Sequence, residues 1–168
     1  MSHQFVTEFG SLDRYEKGWV QVIDDNPKHY VFSNVFEVAG NSRPYEKVVV
    51  ARNIRYVMEA VRAEGRSPWF AAGHDEFALV MDGRVEVEFM DLGDAESVAP
   101  SGHEGTVLVG DQEPAGKRMG RIRASRGHQV LLPKGAAYRF NAVQPGVLII
   151  QTIFGDLSVE KWAEICQQ

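Results

Sequence analysis

The sequence predicts a mainly β protein, a single barrel of short strands with one middle helix and one C-terminal helix. Two observations carry this: about ten short runs rich in β-branched and aromatic residues are separated by turn residues, and an Asp-Gly pair joins two alternating runs. Strand–helix–strand alternation, the mark of a parallel sheet, is missing. With 168 residues, 44% of them hydrophobic, the chain can fill one core, so we expect an N-terminal extension over 1–17 and one domain over 18–168.

From Gly18 onward, GWVQVI, HYVFSNVFEV and EKVVVA read as strands. The period then changes. Ile54, Val57, Met58 and Val61 recur at helical spacing, which predicts a helix over 52–64 stopped by Gly65. Strands resume with FAAGHDEFALVM, and Asp82-Gly83 predicts a hairpin into RVEVEFMDL. There Val85, Val87 and Phe89 alternate with Glu86 and Glu88, so the glutamates mark a wet sheet face, not an acidic metal site. The stretch from about 93 to 120 is rich in Gly, Ser, Pro and charge and predicts an insertion loop holding one short strand, TVLVG. GRIRASRGHQVLLPKGAAYRFNA and GVLIIQTIF supply the last strands, and DLSVEKWAEIC a terminal helix capped by Asp156 or Ser158.

A net charge of −5 gives no general grip on phosphate backbones or anionic lipid. The N-terminus lacks an apolar core of signal-peptide length, and no apolar run approaches the ~18 residues of a membrane span, so a soluble cytoplasmic protein is expected. Cys166 is the only cysteine, which excludes an internal disulfide and a multi-thiolate metal site. It falls in phase with Val159, Trp162 and Ala163, as a buried structural thiol would.

Two stretches follow the spacing of the paired cupin motifs, G-x5-HxH-x3-4-E-x6-G and G-x5-P-x-G-x2-H-x3-N. Gly127, Pro133 and Gly135 reproduce the second, with Tyr138 in the place of its histidine and Asn141 one position early. Glu76 and Gly83 keep the spacing of the first, while its two histidines fall on Phe70 and Ala72. Strand alternation puts Phe70, Ala72, His74 and Glu76 on one face. A mononuclear iron site needs about three protein ligands, and only Glu76 stands at a ligand position with a ligand's side chain. Two arrangements remain open. His74 and Glu76 could form a rearranged metal site with Tyr138 or His128; alternatively His74 and Tyr138 hydrogen-bond to each other or to Glu76 in a metal-free barrel.

Other candidates carry paired readings too. His3, His29 and His103 fit solvated positions. Trp69 and Phe70, with Tyr138 and Phe140, could line a cavity for a flat ligand or simply fill the core. Arg43, Tyr45, Lys47 and Arg52 mix aromatic and basic groups, as in a partner interface or a solvated edge strand.

Beyond the motifs, DNPKHYVFSNVFEVA, SRPYEKVVVARNIRYVMEA, EGRSPWFAAGHDEFALVMDG and GHQVLLPKGAAYRFNA through QTIFGDLSVEKWAEIC resemble the small (alpha) subunit of two-component hydroquinone 1,2-dioxygenases, from about Asp25 to Cys166. The resemblance implies a jelly-roll cupin barrel without a cofactor or catalytic residue of its own. It implies a heterotetramer in which a larger cupin subunit holds Fe(II) and both atoms of O2 enter hydroquinone, giving 4-hydroxymuconic semialdehyde. This chain would stabilise the large subunit and help close its pocket with an N-terminal segment or the 52–64 helix. Against it stand a self-sufficient cupin dioxygenase with a rearranged site, a metal-free small-molecule binding module, and a scaffold without a ligand.

Overall fold

In the computed structural model, which describes residues 10–29 and 32–167, ten strands join in one sheet. They are β1 (Lys47–Asn53), β2 (Tyr56–Arg66), β3 (Trp69–Ala72), β4 (Glu76–Asp82), β5 (Arg84–Asp91), β6 (Thr106–Gly110), β7 (Lys117–Ser125), β8 (Gln129–Leu132), β9 (Ala136–Ile153) and β10 (Ser158–Val159). Three short helices accompany them: α1 (Val35–Gly40), α2 (Ala95–Val98) and α3 (Trp162–Cys166).

The 18-residue β9 organises the sheet. Residues 147–153 run between β2 and β4, and residues 136–141 run between β3 and β5. Outside these, β1 and β8 flank the first set, while β6 and β7 flank the second. Each ribbon therefore bends as it passes from one half to the other, and the inward residues of both halves meet in one core. Val61, Phe70, Val80, Val87, Leu132, Tyr138, Phe140 and Ile150 belong to it. This is a mainly β cupin barrel. On its outer side, α1 and α3 cover one half through Val38, Val48, Ile149, Trp162 and Cys166. The other half carries an outward cluster that includes Trp69, Met90 and Ala137.

Several sequence expectations are corrected. The helix over 52–64 is a hairpin instead: β1 and β2 pair across a turn at Ile54, whose φ is +60°. Val57 points inward while Tyr56 and Met58 are exposed, and β2 sits between β1 and β9. Pairing on both edges decides this segment over its local period. Asp82-Gly83 makes a corner, not a hairpin, because β4 and β5 lie end to end along β9. Gly83 has φ +78°, and a Cβ there would come 2.9 Å from Cα of Gly146, so only glycine fits this bend.

FAAGHDEFALVM is two strands broken at residues 73–75. A Cβ on Gly73 would meet the Pro100 carbonyl oxygen at 2.2 Å. The end of HYVFSNVFEV starts α1, with Asn34 at its N-cap, whose side chain accepts from the Phe36 N–H at 3.0 Å. Of GWVQVI, only Val20 forms a bridge, to Gln167. TVLVG forms β6 as expected, but the surrounding loop contains α2 and ends at 116, where β7 begins. The terminal helix is shorter than expected: Ser158–Val159 pair with β1 as β10, and α3 starts only at Trp162 with Lys161 at its N-cap, so neither Asp156 nor Ser158 caps it. His3, Tyr30 and Val31 lie outside the described residues. No helix among the described residues is long and apolar enough to cross a membrane.

Candidate functional site

The turns at Gly127 and at Pro133-Lys134-Gly135, with φ +87° and +85° at the two glycines, deliver the chain into β9 so that Tyr138 faces inward. Phe70 on β3 pairs directly with Tyr138, their ring centroids 6.0 Å apart, and Phe140 meets Tyr138 edge-on at 5.4 Å. Ala72 is buried beside them, and Glu76 opens β4 with no solvent exposure.

Glu76 is held by three hydroxyls. Tyr138 donates to Oε2 at 2.5 Å, while Thr106 and Thr152 each donate to Oε1 at 2.6 Å. His74 joins through Thr152, with Nε2 2.9 Å from its Oγ1. The Ile153 backbone N–H donates to the same ring nitrogen at 3.4 Å. Nδ1 of His74 is buried without a partner. Burial holds His74 below the ordinary imidazole range. Burial, then the neighbouring Glu76, pushes the Tyr138 phenol well above 10.

A second polar pair lies in the same interior. Lys47 Nζ is 3.7 Å from Glu59 Oε2, with both side chains at 3% exposure or less. The ammonium also stands 5.0 Å over the Phe70 ring, and Ser158 donates to Glu59 at 2.6 Å. Burial raises the Glu59 carboxyl even against Lys47.

These residues do not fit ferrous iron. Phenyl and methyl groups occupy two ligand positions, a phenol held protonated occupies a third, and the remaining carboxylate is saturated by hydroxyls. Among the described residues, no three His, Cys, Asp or Glu side chains gather as a metal site. His128 does not join His74 and Glu76; it sits in an exposed turn against Ser125.

The other candidates separate as well. Phe70, Tyr138 and Phe140 pack on one another in the core, whereas Trp69 faces the opposite side beneath Arg139, 4.3 Å from its guanidinium. Arg43 is exposed and bonded to Glu46, and Arg52 pairs with Glu160 at 2.9 Å. Tyr45 and Lys47 are buried, because β1 enters the core with residues 47–50 covered and the Tyr45 ring lies parallel to Phe140 at 6.2 Å. The four therefore do not form one surface. Sequence reasoning missed Thr106, Thr152 and Glu59; the available signal was a polar residue at an inward position of TVLVG, GVLIIQTIF and YVMEAV.

No protein-family model and no curated protein matches the chain. Solved structures do. The chain is 53% identical to a chain of hydroquinone 1,2-dioxygenase from Sphingomonas sp. TTNP3 with 4-hydroxybenzoate bound, over 98% of this chain and 99% of that one, with a TM-score of 0.90. It is 58% identical to a chain of hydroquinone 1,2-dioxygenase PnpCD in complex with Cd2+ and 4-hydroxybenzonitrile, over 100% of both, with a TM-score of 0.85. A third likeness is one of fold alone: a chain of the TTNP3 enzyme in complex with 4-nitrophenol, at 13% identity and a TM-score of 0.55, over 74% of this chain and 32% of that one. On sequence identity over the full length of both chains, the protein belongs to the hydroquinone 1,2-dioxygenase family.

Proposed function

We propose that this chain is the small, metal-free subunit of a ring-cleaving hydroquinone dioxygenase, and that a larger cupin partner holds the ferrous iron. The observation that carries the proposal is the saturated Glu76: the carboxylate kept at a ligand position accepts from Tyr138, Thr106 and Thr152 and has no histidine beside it on a ligand position. The lengths of the related chains support a division of labour. This chain matches one chain of the TTNP3 enzyme end to end, and resembles in fold a second of which it spans only 32%.

In the complex, iron supplies the electron transfer between the diphenol and dioxygen. This chain's interior moves no proton or electron. Its part is mechanical: a rigid barrel buttresses the partner and helps close the partner's pocket around hydroquinone, which leaves as 4-hydroxymuconic semialdehyde. An obligate interface for that purpose buries on the order of 2,000 Å² or more.

The test is expression of the chain alone and together with the large subunit, with iron measured per chain and ring cleavage followed by semialdehyde absorbance. We expect no iron and no turnover from the chain alone, and turnover with iron on the large chain from the pair. Iron-dependent turnover by the isolated chain would overturn the proposal.

A further inference from the structure

A cleft of about 320 Å³ opens on the outer face of the barrel half built from β3, β5, β7 and residues 136–141 of β9, a size at the small end of ligand sites. Four guanidiniums line it, from Arg66, Arg118, Arg121 and Arg139, with the carboxylates Glu88 and Glu113; just outside, Glu86 is shared between Arg121 at 3.5 Å and Arg123 at 2.9 Å, so five guanidiniums meet three carboxylates. In a chain whose net charge is −5, this is a local concentration of positive charge.

The strands concentrate it by a specific device. Between Phe89, paired with Gly120, and Met90, paired with Arg118, β7 carries one extra residue, Met119. In an unbroken strand Met119 would share a face with Arg121; the bulge puts Arg118 there instead. Glu88 is then oversubscribed, since it binds Arg139 and also faces Arg66 at 3.6 Å. Those cations hold its carboxyl below the usual range, Arg139 foremost.

The two cations of that pair differ in freedom. Arg139 is 7% exposed and clamped over the Trp69 indole, whereas the Arg66 side chain is 61% exposed and only loosely tied. The wall beside them is apolar, with Trp69 and Met90 both buried. The Trp69 indole N–H has no acceptor.

We propose that this cleft binds a small, flat, conjugated carboxylate. The carboxylate would take Arg66 and Arg121 in charge-assisted pairs, and its unsaturated body would lie on the Trp69–Met90 wall. A neutral molecule of the same shape would leave the surplus positive charge unmet and bind worse.

The experiment titrates sorbate (hexa-2,4-dienoate) and the uncharged alcohol hexa-2,4-dien-1-ol into the assembled complex, by ligand-observed NMR. Sorbate is expected to bind and the alcohol not. Arg66→Gln and Arg121→Gln, both at exposed side chains that should not disturb folding, are each expected to raise the sorbate dissociation constant about tenfold, the loss of one charge-assisted pair. Equal binding of acid and alcohol, no sorbate binding at millimolar concentrations, or unchanged affinity in both variants would each overturn the proposal. Carboxylate side chains of the partner subunit already filling the cleft would appear as sorbate binding to the free chain but not to the complex, and would overturn it too.

Discussion

Replacing Tyr138 with phenylalanine isolates the contact on which the barrel interior depends. The change deletes one oxygen and preserves the ring contacts to Phe70 at 6.0 Å and Phe140 at 5.4 Å. What goes is the 2.5 Å hydrogen bond to Glu76 Oε2, while Oε1 keeps Thr106 and Thr152. Hydrogen bonds to charged acceptors contribute about 1.5–3 kcal/mol, so we expect a loss of about 2 kcal/mol. For a chain of this length that lowers Tm by about 4–8 °C. Urea unfolding measures it, and a double-mutant cycle with Glu76→Gln assigns it to the pair. The pH dependence supplies a second check. The folded phenol titrates well above its unfolded value of 10, so its contribution is present below pH 10 and is lost as pH climbs past 10 toward the folded value. The gap between parent and variant should therefore narrow above pH 10. A variant within about 0.5 kcal/mol of the parent at neutral pH would refute the role given to this bond.

Lys47→Met should destabilise by about 3–5 kcal/mol, because it strands Glu59 in the core, and adding Glu59→Gln should restore most of that; urea unfolding of the three variants decides, and a single variant losing under about 1 kcal/mol would contradict the buried pair. Cys166 is buried, and burial raises its thiol, so an aromatic disulfide reagent should label the native chain slowly and the urea-unfolded chain at once. Prompt labelling of the native protein would show that α3 does not cover it.

The motif spacings made the site legible while the architecture around it was only half so. Gly127, Pro133, Gly135 and Glu76 located Tyr138 and Phe70 from sequence, because sharp turns demand particular residues at fixed offsets. The 52–64 segment misled because Ile54, Val57, Met58 and Val61 satisfy a helical period, and only pairing with β1 and β9, set by residues far along the chain, decides otherwise. Asp82-Gly83 misled for a related reason: a left-handed glycine marks a sharp change of direction but does not say whether the chain reverses or turns a corner. Lys47 looked like a surface residue because lysine is almost never buried unless paired, and its partner Glu59 lay inside the mistaken helix.

The interior resists metal for reasons beyond absent histidines. A buried carboxylate without a cation costs several kcal/mol unless hydrogen bonds replace the lost solvation, and Glu76 has three. Replacing Tyr138 with an imidazole would remove the donor on Oε2, while Thr106 and Thr152 would still hold Oε1. Lys47 adds a second obstacle. Its ammonium stands 5.0 Å from the centre of the Phe70 ring, a ligand position, so it already supplies positive charge to an interior holding Glu59 and Glu76. A divalent ion entering beside it would meet like charge in a low-dielectric space, where repulsion is far stronger than in water. The same hydrogen bonds tie β4 to β6 and β9 through one buried carboxylate, which suits the supporting role proposed for this chain.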